Sequence, residues 1–199
     1  MLGLAWNDRQ PCSRRVSITT DSNADWNQNN AVDLSVVIPV YNAEEFIERT
    51  LGELISVLAA SNRTAELIVV DDGSSDQTAA AVERTLATAP VAATLLQQER
   101  NHGKGAAIAR GMEEATGIHR VFIDADLPFP ANAILEACEQ LDDGADVVVA
   151  SRVHDDSKYL VKPSFFRYLY TRHLAGRFFN RLVRVLLLPG IRDSQAGLK

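Results

Sequence analysis

The feature that most constrains the fold is a regular alternation of short apolar runs with longer amphipathic segments. The apolar runs have the length of β-strands and cover residues 34–40, 66–70, 91–96, 121–124 and 146–151. The segments between them repeat apolar residues at helical spacing and cover residues 46–58, 77–89, 106–116 and 131–141. Strands that alternate with helices form parallel sheets, because each helix carries the chain back across the sheet. We therefore predict an α/β fold with a Rossmann-like, mostly parallel sheet and helices on both faces.

Composition separates an N-terminal stretch from the rest of the chain. Residues 1–33 are largely polar and lack periodicity, which predicts a disordered or poorly ordered leader. Residues 34–199 have the length of one domain, and a hydrophobic content of 46% is enough for a substantial core. The two cysteines, Cys12 and Cys138, make no disulfide framework, so a reducing, cytoplasmic compartment is predicted.

Charge is distributed unevenly along the chain. The formal net charge is -6, yet residues 152–199 contain ten Lys or Arg and only three Asp. Within this stretch, residues 164–188 predict a helix with an apolar, aromatic face and a second face of four arginines that includes Arg167. Such a helix can lie on an anionic membrane, although a helix that packs on a core with solvated arginines has the same pattern. The predicted partner is anionic, either a phosphate or a membrane surface, and no nucleic acid is expected.

Two carboxylates stand where the apolar run 121–123 should end. Asp124 and Asp126 are one residue apart, and Ala125 between them is small enough to let a ligand approach. Ligands of open α/β sheets bind beyond the carboxyl ends of the strands. Two hard oxygen donors at that place suit Mg²⁺ or Mn²⁺, which in turn suits a diphosphate. An Asp-x-Asp alone is more often a strand followed by a solvated turn, so the interpretation depends on its neighbours.

Four loops are expected to meet at this edge of the sheet: residues 39–42, 71–74, 124–126 and 151–152. A nucleotide needs an apolar or aromatic surface for its base and an acceptor for the base N–H groups. Pro39 and Tyr41 can supply the surface. Asp71 or Asp72 can supply the acceptor. The convergence of the four loops indicates a nucleotide site more strongly than any one of them.

Lys104 lies between two glycines, where it can bring positive charge close to a phosphate. It is not the lysine of a P-loop, because the Gly-x-x-x-x-Gly-Lys-Ser/Thr pattern is absent. The dinucleotide fingerprint Gly-x-Gly-x-x-Gly is also absent, which argues against a dehydrogenase. A nucleotidyltransferase would be expected to show a Gly-rich signature after the first strand, where this chain has Pro39-Val40-Tyr41-Asn42.

These motifs, in this order, resemble the family 2 glycosyltransferases of GT-A fold. The matching segments are Val-Val-Ile-Pro-Val-Tyr-Asn, Ile-Val-Val-Asp-Asp-Gly-Ser-Ser-Asp, Asn-His-Gly-Lys-Gly-Ala-Ala, Phe-Ile-Asp-Ala-Asp and Val-Val-Ala-Ser-Arg. The tail Arg-Asp-Ser-Gln-Ala-Gly-Leu-Lys is similar to the Arg-Asp-Thr-Gln-Cys-Gly-Phe-Lys segment of dolichyl-phosphate β-glucosyltransferases and the related dolichyl-phosphate mannose synthases. The resemblance covers residues 34–199.

The resemblance implies roles for individual residues. Binding of the nucleotide sugar is implied for Pro39, Tyr41, Asp71, Asp72, Lys104, Asp124, Ala125 and Gln195. It further implies that Asp124 and Asp126 hold Mg²⁺ or Mn²⁺ on the diphosphate. Arg152 and Arg167 would contact the acceptor phosphate. The implied catalytic residues are Asp126, Arg152 and Asp193. Pro128 stands where many relatives have Gln.

The function implied by the resemblance is an inverting hexosyl transfer, of glucose or mannose, to a polyprenyl or dolichyl phosphate. The donor would be UDP-glucose or GDP-mannose, and the enzyme would sit peripherally on the cytoplasmic face of a membrane. Two alternatives stay open: a family 2 transferase with a soluble sugar or glycan acceptor, and an inactive module that binds nucleotide sugars. Because relatives continue past the Gly-Phe-Lys element, the domain 34–199 is expected to be truncated at its C-terminus.

Overall fold

The structure is a computed structural model that describes the backbone of residues 14–18 and all of residues 32–150 and 197–199. The chain divides into two units, Met1–Asn132 and Ala133–Lys199. The predicted helix 164–188 lies outside the described residues, as do Arg152, Arg167, Asp193 and Gln195. Within the described part of the chain, no helix is both long and apolar enough to cross a bilayer.

The described residues of the first unit form a five-stranded sheet with three helices. Its elements in chain order are β1 Arg14–Ile18, β2 Leu34–Val40, α1 Ile47–Ala60, β3 Ala65–Asp71, α2 Thr78–Leu86, β4 Ala92–Gln97, α3 Lys104–Glu114 and β5 His119–Phe122. The strand order is β1-β4-β3-β2-β5. β2 pairs in parallel with both β3 and β5, and β3 pairs in parallel with β4, whereas β1 is antiparallel to β4. The prediction of a mostly parallel α/β sheet is confirmed.

The connections place helices on both faces of this sheet. The chain steps from β2 to β3 to β4 in one direction and then returns past β3 and β2 to β5. Parallel crossovers are right-handed, so α1 and α2 cover one face and α3 covers the other. The direction of the chain therefore reverses beside β2, and the carboxyl ends of β2 and β5 lie next to each other at the switch point where such sheets bind ligands.

Pro39 sits inside β2, where a proline would ordinarily remove a hydrogen bond from a sheet. The Val37 carbonyl accepts a bond from the Ile123 N–H, so Val37 directs its backbone groups toward β5. Pro39, two residues later, points to the same side. Because β5 ends at Phe122, its ladder does not reach Pro39, and the missing N–H costs no bond to β5.

The α3 face of the sheet is closely packed. Its core contains Val37, Ile68, Val70, Leu96, Ala107 and Ala115, with Met112 and Phe122 packed against it. Gly111 allows α3 to approach, because a Cβ built at this position would lie 2.3 Å from Val37 Cγ1 and 3.1 Å from Val70 Cγ2. The close approach fixes α3, and with it Lys104 at the start of the helix, relative to the strands.

Two parts of the structure differ from the prediction. β1 lies inside the predicted leader and pairs with β4 over residues 14–18, where the sequence alternates polar and apolar residues only briefly, from Arg15 to Thr19. Conversely, the predicted strand at 146–151 is wrong for its described part, because residues 146–150 form no strand. In the second unit, which also contains α4 Ala133–Asp142, Ala150 N–H donates to the Leu198 carbonyl. Val147 is 71% exposed, so an apolar run here does not mark burial.

We expect Gly111→Ala to lower the free energy of unfolding. The overpacking costs about 1–3 kcal/mol and outweighs the gain in helix propensity, which is about 1 kcal/mol. Gly52→Ala is the matched control, because a Cβ on this glycine of α1 meets nothing within 4 Å. That control should be as stable as the wild type or more stable. Urea unfolding followed by circular dichroism measures both, and equal stabilisation by the two substitutions would contradict the close approach of α3.

Candidate functional site

Loops that follow parallel strands meet at the carboxyl edge of the sheet, by which we mean these loops with the residues that border them: 39–46, 71–77, 98–104 and 123–128. The first two of these loops are bonded to each other. Asn42 N–H donates to Ser74 Oγ over 2.9 Å, and Asn42 Oδ1 accepts the Ser75 N–H over 2.9 Å. Ala43 N–H donates to Thr78 Oγ1 over 2.7 Å. These bonds stabilise a left-handed backbone at Asn42, whose φ is 46°, and hold Tyr41 half exposed beside the end of β3.

Asp71 is the last residue of β3 and is 3% exposed. Its Oδ1 accepts bonds from the Ser74 N–H and hydroxyl, and no other bond to the carboxylate is seen among the described residues. Burial raises the pKa of Asp71 above its usual value; the Ser74 bonds act against this shift, and the charges of Asp76 and Asp72 add to it. The second oxygen, Oδ2, is therefore the acceptor that Asp71 could offer to a ligand N–H.

Asp72 is equally buried, but both of its oxygens are occupied. Oδ1 accepts the His102 N–H and Oδ2 accepts the Gly103 N–H, each over 2.8 Å. Charge-assisted bonds to two backbone amides compensate for the burial of a carboxylate. Gly103 has a φ of 92°, which favours glycine, and α3 begins at the next residue. Asp72 thus fixes the turn that leads into Lys104.

Lys104 reaches across the sheet edge to Asp124. Its Nζ donates to Oδ2 over 2.7 Å and lies 2.6 Å from Oδ1, so one ammonium group faces both carboxylate oxygens. The Lys104 side chain is 54% exposed and that of Asp124 is 24% exposed. Screening by water keeps such a pair modest in its contribution to stability, but the contact fixes the positions of both charged groups.

Asp124 also starts a tight turn that carries Asp126. The Leu127 N–H donates to the Asp124 carbonyl over 3.0 Å, and Leu127 has a φ of 46°. From α1, the buried Thr50 hydroxyl donates to the Ala125 carbonyl over 2.8 Å. The turn is therefore held from both sides, and Asp126 is exposed at its tip.

The two carboxylates of this turn fit a divalent cation bound together with a phosphate ligand. Across the described ranges, no three His, Cys, Asp or Glu side chains converge as a metal cage. Mg²⁺ does not require such a cage, because it is commonly held by one or two carboxylates together with phosphate oxygens and water. Asp124 already faces a cationic group, and Asp126 offers exposed oxygen donors. The residues present therefore suit Mg²⁺ or Mn²⁺.

The sequence identified most of the residues that the structure brings to the carboxyl edge: Pro39, Tyr41, Asp71, Asp72, Lys104, Asp124, Ala125 and Asp126. The sequence did not reveal the hydrogen bonds that organise these residues, which involve Asn42, Ser74 and Thr50. Thr50 carries a recognisable signal, since it is a polar residue on the otherwise apolar buried face of α1. The bond between Asn42 and Ser74 has no such signal in the sequence, because it joins loops more than 30 residues apart.

Comparison with known proteins relates this site to a family. The family model described as Glycosyl transferase family 2 matches residues 35–193. Over 183 residues the chain is 35% identical to the dolichyl-phosphate beta-glucosyltransferase of Drosophila melanogaster, which covers 85% of this chain and 54% of that protein. It is 32% identical over 162 residues to the dolichol-phosphate mannosyltransferase of Pyrococcus furiosus, with 80% and 42% covered. The chain thus spans about half the length of these curated relatives.

A solved structure shares the fold. The crystal structure of residues 1–349 of TarS from S. aureus superposes with a TM-score of 0.50 and 26% sequence identity. The superposition covers 67% of this chain and 40% of the chain in that TarS structure. A further structure of the same TarS region was solved in complex with UDP-GlcNAc, also with a TM-score of 0.50.

The raised pKa of Asp71 predicts a defined pH dependence of stability. A carboxyl whose folded pKa lies above its ordinary 3.8 binds more protons in the folded state, so the free energy of unfolding falls as pH rises through that window. Asp71→Asn removes this loss and keeps an oxygen acceptor for Ser74. Its stability relative to the wild type should therefore increase as the pH rises from about 3.8 and level off above the folded pKa, by about 1.4 kcal/mol in total for each unit of pKa shift.

Asp76→Asn is the control for this measurement. Burial acts to raise the pKa of Asp76, but the bonds that it accepts from Thr78 and from backbone N–H groups, including that of Glu44, together outweigh burial and lower the pKa. The pKa of Asp76 in the folded protein therefore lies below 3.8. The stability that Asp76 contributes is lost only as the pH falls below 3.8 and through that folded pKa. Relative to the wild type, Asp76→Asn should show a constant difference from about pH 4.5 to pH 7. Urea unfolding at several pH values tests both, and a flat difference for Asp71→Asn would contradict the prediction.

Proposed function

The chain belongs to glycosyl transferase family 2 and has the GT-A fold that its motifs predicted, and on this premise we propose that it transfers a hexosyl group from a nucleotide-diphosphate sugar to a polyprenyl phosphate. The observation that carries the proposal is the Asp124–Asp126 turn beside Lys104 at the carboxyl edge. Two relatives are named as transferases of glucose or mannose to dolichyl phosphate, which supports a lipid phosphate as the acceptor.

The nucleoside is proposed to bind between the loops that follow β2 and β3. Tyr41, half exposed, and Pro39 offer a surface for the base, and Asp71 offers its second oxygen to a base N–H. Because both oxygens of Asp72 are taken by backbone amides, Asp72 supports the site by holding the turn at 102–103. The loops after β2 and β3 are already hydrogen-bonded to each other. They therefore need little reordering when the nucleoside binds, which favours affinity.

The diphosphate is proposed to lie over the end of β5. Asp124 and Asp126 would hold Mg²⁺ or Mn²⁺ against it, and the metal would supply charge stabilisation for the departing nucleoside diphosphate. Lys104 is close enough to Asp124 to contribute a second positive charge to the same phosphates. Ala125 keeps the space above the turn open.

The reaction is proposed to proceed by in-line displacement. An oxygen of the lipid phosphate attacks the anomeric carbon and forms the new C–O bond, while the bond to the donor phosphate breaks and its electron pair leaves with the nucleoside diphosphate. Configuration at the anomeric carbon is thereby inverted. A phosphate monoester is ionised near neutral pH, since its second pKa is about 6, so no strong general base is needed.

By the resemblance read from the motifs, Arg152 and Arg167 would bind the acceptor phosphate, and Asp193 and Gln195 would face the sugar or the acceptor. The basic stretch 152–199 supports a peripheral position on the cytoplasmic face of a membrane, because anionic lipids attract clustered Lys and Arg. The proposed donors are UDP-glucose and GDP-mannose, since the relatives are named for glucose and mannose.

Donor binding tests the proposed site. We expect titration calorimetry to show Mn²⁺-dependent binding of UDP-glucose or GDP-mannose, and Asp126→Ala to weaken it at least about tenfold, because one of two metal ligands is removed. Glu113→Ala is the matched control, since Glu113 is an exposed carboxylate at the far end of α3 and should leave binding unchanged. Failure of the wild type to bind either donor would contradict the proposal.

Acceptor choice tests the reaction itself. With the donor that binds, we expect transfer to dolichyl phosphate in vesicles but not to dolichol, because only the phosphate supplies an ionised nucleophile. The product should carry a β-linked sugar when the donor is α-configured, as anomeric coupling constants in proton NMR would reveal. Transfer to a soluble glycan with no activity on the lipid phosphate would instead support the alternative acceptor class, and an α-linked product would contradict inversion.

A further inference from the structure

The contact between Lys104 and Asp124 has a consequence for how ligands bind. One ammonium nitrogen lies 2.6 Å from Asp124 Oδ1 and 2.7 Å from Oδ2. A divalent cation on Asp124 requires the same oxygen lone pairs at a distance of about 2.0–2.1 Å for Mg²⁺. Both cations cannot occupy that face of one carboxylate. Metal binding at Asp124 must therefore displace Lys104, at least in part.

Lys104 is not where helix stability alone would place a lysine. It is the first residue of α3, and the first turn of α3 contains no acidic residue. The positive end of the helix dipole disfavours a cation there. The turn before it is nevertheless fixed by Asp72, so the backbone of Lys104 cannot simply move away. The side chain, which is 54% exposed and has several rotatable bonds, can exchange its partner while its backbone stays in place.

We infer that Lys104 couples metal binding to donor binding by acting as a replaceable counter-ion of Asp124. This inference rests on the proposed function, because it assigns the metal to Asp124. A metal that binds alone has to displace Lys104 and leaves its ammonium beside a second cation. When a nucleoside diphosphate binds as well, its phosphate oxygens supply a new partner for Lys104. Each ligand therefore binds more tightly in the presence of the other, and the coupling is reciprocal.

The test measures Mn²⁺ affinity apart from any catalysis. Free Mn²⁺ is followed by electron paramagnetic resonance, first with the metal alone and then with saturating UDP or GDP. In the wild type we expect the nucleotide to tighten Mn²⁺ binding about tenfold or more. Lys104→Gln removes the competing charge at similar length, so it should bind Mn²⁺ alone about tenfold more tightly than the wild type and gain less from the nucleotide. Both expected changes lie within the usual range of coupling between sites.

Arg100→Gln is the control for a general effect of charge. Arg100 is exposed, lies four residues before Lys104 and has its backbone next to Gly73 at the same edge. The Arg100→Gln variant should leave the Mn²⁺ affinity unchanged within about twofold. This result would distinguish displacement of Lys104 by the metal from a long-range effect of losing one positive charge. Circular dichroism confirms that each variant is folded. Equal tightening in Arg100→Gln and Lys104→Gln would overturn the inference.

Two further outcomes separate the inference from the proposed function. If the wild type binds Mn²⁺ with nucleotide but Lys104→Gln does not tighten binding of the metal alone, the counter-ion role is wrong and the proposed metal site stands. If neither the wild type nor Lys104→Gln binds Mn²⁺, with or without nucleotide, the metal assignment at Asp124 is wrong. Both the counter-ion role of Lys104 and the proposed function then fail.

Discussion

Two hydrogen bonds to the buried carboxylate of Asp72 hold the carboxyl edge together. They tie the end of β3 to the turn at 102–103, from which α3 and Lys104 start. Because α3 packs against β2 and β3 through Gly111, that turn and the sheet form one scaffold. Lys104 then reaches Asp124 in the loop after β5, so a single buried anion at the end of β3 helps to position a charged pair on the far side of β2. A buried carboxylate is costly unless its oxygens are bonded, and here both are.

The loops after β2 and β3 show how the site can be formed before a ligand arrives. Asn42 accepts a bond in a left-handed conformation, and Gly73, with a φ of 72°, lies so close to Arg100 that a Cβ would approach its backbone to 2.5 Å. Such positions persist only when surrounding contacts determine them. A loop pair ordered in this way loses less conformational entropy on binding than two free loops would. The same contacts limit which substitutions the edge can accept.

How much of this could be predicted from the sequence depends on the range of the interaction involved. The core strands were predictable because parallel strands covered on both faces are continuous apolar runs, as at residues 34–40 and 66–70. The run at 146–150 has the same composition but forms no strand, because apolar character alone supplies no pairing partner. β1 shows the converse, since its alternation from Arg15 to Thr19 is too short to predict a strand in a polar stretch, yet it pairs with β4. The carboxylates of the site were predictable because they follow the ends of apolar strands. The hydrogen bonds that both Asp72 oxygens accept were not predictable, because the donor amides lie about 30 residues away in the chain.

Charge explains why this edge suits an anionic ligand only together with a cation. The proposed site contains four of its carboxylates, and their charges are compensated to different degrees. Asp72 is bonded to two amides, Asp124 faces Lys104, and the buried Asp71 has a raised pKa. Asp126 remains exposed, with no charged partner among the described residues. A diphosphate added to this set would meet repulsion from Asp124 and Asp126 that Lys104 alone cannot cancel, whereas a divalent cation bound with it changes the sign of the local field. In the proposed function, the metal and the diphosphate are therefore parts of one binding event.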